Sequence, residues 1–421
     1  MNILLRKVFI AHPASSHHQS VKDILLVNGI IQQIANDINA DADIIIEEEG
    51  LTTTAGWIDI FSHFNDPGHE YKETLQTGAA AAAAGGFTQV FTLPNTKPVV
   101  DNKSQVEYVV QKSKDLPVTL HPLGAITKGT DGKDLAEMYD MQHSGAIAFS
   151  DGTSPVQSPG LFLKALQYIK AFDGILIQIP TDKSIGQYGL INEGIVSTRL
   201  GLPGIPAIAE EIIILRDIEL LKYTNSKLHI TGVSTAKGIA LIQQAKEAGL
   251  AVTCSVTPYH LYFSDEDLQT YDTNLKVNPP LRPAEDVQAL REAVLNGWVD
   301  SIASHHLPQD WDNKTCEFEY AKYGMLGLQT SYAAVQTVLP QLTAEQVSRL
   351  FSANARSIFN IPDVTIEEGA VAELSLFSPK QHTSLTTDNN RSKSFNTAFA
   401  GKTLNGKVIG IIHKGNLYLN K

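Results

Sequence analysis

The 421-residue chain has few cysteines, no basic cluster and no long apolar run, and each shortage excludes a class of protein. Its two cysteines, Cys254 and Cys316, form no CxxC pattern, which argues against a disulfide framework and a thiolate zinc site. The formal net charge is -12 and the basic residues are dispersed, so we expect no nucleic-acid surface. No run of about 18 apolar residues is present, so no transmembrane helix is expected.

The first residues, MNILLRKVFIAHPASSHHQ, hold too short an apolar stretch for a signal peptide and no small-residue cleavage site. The chain is 43% hydrophobic and 19% charged, which is typical of globular proteins. These features predict a soluble cytoplasmic protein that does not contact a membrane.

Both ends of the chain have the character of short β-strands. The segments ILLRKVFIA, DILLVNGIIQQIA and ADIIIEEEG lie in residues 1–53, and Asn28-Gly29 is a strong hairpin signal between them. AVAELSLFSP and GKVIGIIHKGNLYLN lie in residues 365–421. We therefore predict a small β-sandwich domain built from residues 1–53 and 365–421.

Residues 54–364 alternate buried-type strands with helical stretches. FTQVFTLPN, ILIQIP, KLHITGVS and LAVTCSVTP are examples of the strands, and GAAAAAAGG reads as a helix packed closely against its neighbours. Continuous apolar strands between helices indicate a parallel sheet. About eight such units predict an α/β fold of the (β/α)8 TIM-barrel type, with the functional loops after the strands.

The segment DIFSHFNDPG, residues 59–68, places three side chains on one face of a strand. Residues i, i+2 and i+4 of a strand point together, so Phe61, His63 and Asn65 share that face. The group combines one imidazole with an aromatic ring and an amide.

This segment resembles the DxHxHxREPG motif of the class I dihydroorotases of the amidohydrolase superfamily. LPNT, VTPYHL, KVNPPLR and GAVAEL resemble further family motifs, so the resemblance covers nearly the whole chain. It implies a metal-dependent-hydrolase barrel whose dinuclear zinc centre activates a bridging water. It also implies interconversion of N-carbamoyl-aspartate and dihydroorotate in de novo pyrimidine biosynthesis, with an aspartate that moves the proton.

Most of the implied ligands are replaced here. His63 and Asp151, in FSDG, stand at metal-ligand positions of the family and are the residual metal candidates. The other positions carry residues of a different kind, namely Phe61, Ile179 and Gly232 at ligand positions, His305 at the catalytic aspartate, Asn65 at the substrate arginine and Gln309 at a substrate histidine.

Phe61 has no lone pair to donate, and the amide of Asn65 cannot grip a carboxylate as a charged fork does. Asn95, in LPNT, and Asn278, in KVNPPLR, remain as substrate-binding candidates. A second interpretation is open for each retained residue: His63 as a hydrogen-bonded structural residue, and the asparagines as residues that hold turns.

Three hypotheses follow from the lost ligands. Two ligands cannot hold a dinuclear centre, so we expect zinc to be absent or substoichiometric and the chain to be a pseudoenzyme. The resemblance then implies a non-catalytic partner of aspartate transcarbamoylase, and we also expect a homo-oligomer. The alternative is an active dihydroorotase or related cyclic amidohydrolase with a rearranged zinc site built from His63, Asp151, His305 or His306. The third is a metal-free pocket that binds a pyrimidine-like ligand.

Overall fold

A computed structural model describes residues 1–420. Its β-strands, in chain order, are Asn2–Ile10 (β1), Ser20–Val27 (β2), Ile30–Ala35 (β3), Ile44–Ile46 (β4), Thr52–Ala55 (β5), Trp57–Ser62 (β6), Phe87–Thr92 (β7), Thr119–Pro122 (β8), Leu176–Gln178 (β9), Ile191–Asn192 (β10), Gly204–Ile205 (β11), Leu228–Thr231 (β12), Val252–Val256 (β13), Ser301–Ile302 (β14), Leu374–Thr383 (β15), Leu404–His413 (β16) and Asn416–Leu419 (β17).

The α-helices are Leu75–Ala84 (α1), Lys103–Lys112 (α2), Met138–His143 (α3), Pro159–Lys170 (α4), Ile195–Leu200 (α5), Ile208–Thr224 (α6), Ala236–Glu247 (α7), Pro258–Tyr262 (α8), Ala284–Leu295 (α9), Ser331–Val338 (α10), Ala344–Ser348 (α11) and Asn354–Ile358 (α12). Several begin at a residue whose side chain accepts a hydrogen bond from the first turn, as Thr74 does for α1 and Asn102 for α2. No helix among residues 1–420 is long and apolar enough to cross a membrane.

The strands of the two chain ends share one sheet. Its order is β17-β16-β15-β5-β1-β2-β3, and β4 pairs with β1. Asn28 (φ 49°) and Gly29 (φ 80°) form the turn between antiparallel β2 and β3, as the Asn-Gly pair predicts. The pairings describe one connected sheet. Its folding into a sandwich, and domain boundaries at residues 53 and 365, stay predictions.

The middle of the chain forms parallel strands that meet in a ring. One set has the order β6-β7-β8 and the other β14-β13-β12-β9, with parallel pairing throughout. Parallel bridges from Gly124 to Phe149, from Phe149 to Leu176 and from Ser62 to His306 connect the two sets on both sides. The fold class is therefore α/β, as predicted from the sequence.

The ring is packed inside and out with apolar side chains. Ile58, Phe91 and Ile177 belong to a cluster enclosed by the strands, and a larger cluster lies between the strands and the helices. Helix α1 shows why the alanine run is needed: most of its alanines are buried, and a Cβ on Gly78 would lie 2.7 Å from the Phe64 ring. Small side chains let this helix approach the strands closely, as the sequence predicts.

Candidate functional site

The positions singled out in the sequence follow the carboxyl ends of the ring strands. Phe61 is the penultimate residue of β6, Ile179 follows β9, Gly232 follows β12 and His305 follows β14. We call this end of the ring the mouth. The structure brings Phe61, Ile179, Asn278, His305 and His306 around a cavity of only about 30 Å³. Such a volume has room for a water molecule or two and for no organic substrate.

An aromatic contact occupies the centre of the mouth. The rings of Phe61 and His305 lie 4.5 Å apart between centroids at an interplanar angle of 31°. Both side chains are buried, and Phe61 belongs to the same apolar cluster as Ile179. The residues at two family ligand positions therefore extend the core into the mouth.

His305 also fills the space that a side chain at position 232 would need. Gly232 has φ +72°, and a Cβ built on it would lie 2.6 Å from Cε1 of His305. The Nε2 atom of His305 is hydrogen-bonded to the Thr231 hydroxyl at 2.8 Å, which fixes the ring in this place. A larger residue at position 232 and this placement of His305 exclude each other.

Both ring nitrogens of His63 are engaged by the backbone. The Asn65 amide donates to Nδ1 at 3.1 Å, so the proton resides on Nε2, which donates to the Asn95 carbonyl at 3.0 Å. Burial lowers the pKa of His63 to about 4 and keeps the ring neutral. In this arrangement both ring nitrogens of His63 are occupied by hydrogen bonds to the backbone.

The Asp151 carboxylate accepts hydrogen bonds from the loop after β8. Its Oδ1 atom accepts from the amides of Ile126 and Thr127, each at 2.9 Å, and its Oδ2 atom accepts from the Thr127 hydroxyl. Burial raises the pKa of this carboxyl to about 6. Neither Asp151 nor His63 is among the residues that line the small cavity.

The three asparagines differ in what they face. Asn95 is used by the protein, because its amide donates to the Asp151 carbonyl at 3.0 Å and its Oδ1 accepts from the Thr153 amide at 3.0 Å. Asn65 is buried and turns back on the His63 carbonyl at 3.5 Å. Only Asn278 lines both the small cavity and the adjoining open cleft of about 720 Å³. It is the one of the three placed to meet a ligand.

A chain of polar side chains, missed in the sequence, runs through the ring to His305. His229 contacts the Thr253 hydroxyl through Nδ1 at 2.8 Å and the Ser255 hydroxyl through Nε2 at 3.0 Å. Ser255 contacts Thr231 at 2.8 Å, and Thr231 contacts His305. The available signal was the alternation of polar residues in LHIT and VTCSV, which places them on one face of β12 and β13.

His306, the other half of the histidine pair, faces a different group. Its Nε2 atom lies 3.3 Å from a carboxylate oxygen of buried Glu73, and its Nδ1 atom accepts from the Gly327 amide at 3.3 Å. Glu73 also accepts from the Ser392 hydroxyl and the Lys393 amide, so the loop that holds these two residues is fastened just before the start of α1.

Comparison with known proteins assigns the chain to a family. A family model described as Dihydro-orotase-like matches residues 51–238. The curated dihydroorotase of Syntrophus aciditrophicus is 39% identical over 422 residues, which are 99% of each chain. That of Carboxydothermus hydrogenoformans is 40% identical over 397 residues, 93% of this chain and 92% of the relative. The chain belongs to the dihydroorotase family.

Comparison with solved structures shows the fold. L-hydantoinase from Arthrobacter aurescens matches with a TM-score of 0.84 at 21% identity, covering 99% of this chain and 97% of its own. Dihydropyrimidinase from Brevibacillus agri matches with a TM-score of 0.82 at 17% identity, and the match covers 100% of this chain and 95% of the dihydropyrimidinase. This dihydroorotase-family chain therefore has the amidohydrolase fold.

The family's zinc centre does not fit the residues at this mouth. Zinc requires three or four nitrogen, oxygen or sulfur ligands in a compact geometry. Across residues 1–420, no three histidine, cysteine or acidic side chains are grouped so that they could hold one metal ion. In this arrangement His63 has no free nitrogen, Nε2 of His305 bonds to Thr231, and Nε2 of His306 faces Glu73.

Substitution of Gly232 tests whether His305 fills the former ligand space. We expect Gly232→Ala to lower the free energy of unfolding by about 1 to 3 kcal/mol more than Gly249→Ala, through overpacking. Gly249 is the matched control, because its φ is +80° and no atom lies within 4 Å of a Cβ there. Urea unfolding measures both, and equal losses would contradict the contact. Adding His305→Ala to Gly232→Ala should remove the additional loss of unfolding free energy, because the space beside position 232 is then empty.

The buried His229 should make stability depend on pH. Burial lowers its pKa to about 3, so between roughly pH 6.5 and 3 the unfolded chain binds a proton that the native state does not. Stability is thus lost as the pH falls, by about 2 kcal/mol at pH 5 for this group. The loss of unfolding free energy between about pH 7.5 and pH 5, measured by urea unfolding, should be smaller in His229→Gln than in the wild type by that amount. Exposed His382→Asn is the control, and a pH dependence unchanged in His229→Gln would oppose this account.

Proposed function

We propose that this dihydroorotase-family protein serves de novo pyrimidine biosynthesis as a non-catalytic partner of aspartate transcarbamoylase. The supporting observation is the filled mouth, where Phe61 stacks on His305 and His63 has both nitrogens engaged. We further infer that the ring of strands is a (β/α)8 barrel of the metal-dependent-hydrolase type and that the sheet of the two chain ends forms the attached β-sandwich.

The residue at the catalytic aspartate position is also poorly suited to proton transfer. Burial lowers the pKa of His305 to about 3, and its Nε2 atom is bonded to Thr231. A general base works best with a pKa near the operating pH. Near neutral pH this imidazole is a weak base, which supports a role in packing.

An active dihydroorotase is the second candidate, and the relatives favour it. Dihydroorotases about 39% identical over the full length are enzymes by name, and that similarity supports the active alternative more directly than the partner hypothesis. We place the non-catalytic function first because it requires no rearrangement of the mouth. Activity would require Phe61 and His305 to separate and His63 to release a backbone hydrogen bond.

Metal content and turnover decide between these candidates. Protein purified without chelators and then supplied with zinc should hold less than about 0.1 zinc per chain, since a site with fewer than three ligands binds weakly. It should not hydrolyse dihydroorotate or cyclise N-carbamoyl-aspartate. The dihydroorotase of Syntrophus aciditrophicus is the positive control in the same assays. Zinc at one or two per chain with turnover that His63→Ala abolishes would establish the active enzyme instead.

Helix α6 offers a place for the proposed contact with the transcarbamoylase. Ile208, Ile212, Leu215 and Tyr223 are exposed along its outer side, while Ile214 and other residues pack inward. Neighbouring large apolar side chains that are exposed on a helix often mark an interaction surface. We propose that the transcarbamoylase covers it.

Co-expression with aspartate transcarbamoylase of the same organism tests the contact. The two chains should co-elute in size-exclusion chromatography at low salt, and Ile212→Glu should separate them, because a buried carboxylate is costly. Glu219→Gln, on the same helix, is the control. Separate elution of the wild-type chains would remove the partner hypothesis, and loss of self-association in Ile212→Glu would assign α6 to a homo-oligomer.

A further inference from the structure

A second cavity lies at the other end of the ring, near the amino ends of the strands. It measures about 520 Å³, within the range of small-molecule sites. The strand starts, the turn after α12 and the terminal sheet all contribute to its wall, which includes Gln89, Thr119, His121, Ile175, Phe359 and His413. We call it the base cavity.

A relay of hydrogen bonds fixes the protonation of one histidine in this wall. Buried Arg356 pairs with Glu373, and the Oε1 atom of Glu373 accepts from Nε2 of Gln89 at 2.9 Å. Since the Gln89 nitrogen is committed to the carboxylate, its oxygen must face His121, whose Nε2 lies at 2.7 Å. His121 therefore carries its proton on Nε2 and has a bare Nδ1.

Three polar atoms of the wall remain without a protein partner. In the part of the chain that the structure describes, no hydrogen bond reaches Nδ1 of His121, Nδ1 of His413 or Oε2 of Glu373, while the opposite atom of each side chain is bonded. None of the three is sealed from solvent in the protein interior. Burial lowers the pKa of both histidines to about 4, so they are neutral near pH 7.

The charges around the base cavity favour a cation. Lys227 pairs with Asp173 at 2.7 Å and Arg356 pairs with Glu373, so the basic side chains of the wall itself are already matched. The neighbouring Lys414 ammonium donates to the carbonyls of Lys114, Leu116 and Val118. Asp363 is the remaining charged residue of the wall, and its carboxylate accepts only from the neighbouring Val364 amide. The side chains of Ile147, Ile175 and Phe359 supply an apolar surface beside these acceptors.

We propose that the base cavity binds a small organic cation with an apolar body, such as an amidinium or an arylalkylammonium ion. Its N–H groups would donate to Nδ1 of His121 and Oε2 of Glu373, and its body would lie against Ile175 and Phe359. A bare metal ion is a poor match, because no three ligating side chains converge within residues 1–420. The site lies away from the mouth and does not depend on the proposed function.

Benzamidinium and benzoate, which share a shape and differ in charge, are suitable probes for calorimetric titration of the full-length protein. Benzamidinium should bind with a dissociation constant in the millimolar range or below, and benzoate should not bind. His121→Phe should weaken benzamidinium binding by about 10-fold or more, the effect of losing a hydrogen bond to a charged group. His382→Asn, at an exposed site, should bind as the wild type does.

Equal binding of benzoate, no benzamidinium binding at about 20 millimolar, or wild-type affinity in His121→Phe would each overturn the proposal. If His121→Phe does not fold, imidazole ¹⁵N spectra of the wild type decide. A proton on Nε2 of His121 and a shift of its Nδ1 signal on adding benzamidinium are expected. A proton on Nδ1, or no shift, would contradict the assigned acceptor.

Discussion

A closed ring of parallel strands encloses an interior that must be packed, and most of what distinguishes this protein follows from how that interior is filled. In a metal-dependent enzyme, polar ligands at the mouth are held by the ion they share. Here Phe61, Ile179 and the ring of His305 occupy the mouth and continue the apolar cluster between the strands. Hydrocarbon packing of this kind needs no ion to offset buried polar groups.

The polar side chains described inside the ring are hydrogen-bonded to other protein groups. His229, Ser255 and Thr231 bond in sequence up to His305, and His63 is matched at both nitrogens. Leaving such a group without a partner costs roughly 1 to 3 kcal/mol. Burial lowers the pKa of His229, His305 and His63 and keeps these rings neutral, so the polar chain adds specificity without adding buried charge.

The two ends of the ring differ in how their open space is bordered. At the mouth only about 30 Å³ remains beside Phe61 and His305, next to an open cleft of about 720 Å³, whereas the base holds about 520 Å³ bordered by unmatched acceptors. The difference arises from residues of separate elements. Phe61 and His305 meet across the mouth, while the turn after α12 and the terminal sheet stand back from the strand starts at the base.

Much of the architecture could be predicted from local sequence, because it depends on local signals. The Asn28-Gly29 turn, the alanine-rich α1 and the alternation of strands and helices are properties of short segments, and the structure has each of them. The family was also readable from motifs, and relatives 39% identical over the full length confirm it. The same motifs showed that Phe61, Ile179 and Gly232 stand at positions where the family has metal ligands.

What those residues do was decided by tertiary contacts between distant parts of the chain. The sequence could not show that His305 lies in the space beside Gly232, more than seventy residues away, or that the Asn65 and Asn95 backbones engage His63. The base cavity likewise depends on Gln89 meeting Glu373 across most of the chain. The sequence determined which side chains are present at these positions. The fold decided which of their polar atoms have hydrogen-bond partners and which are left free to bind a ligand, because the partners come from distant parts of the chain.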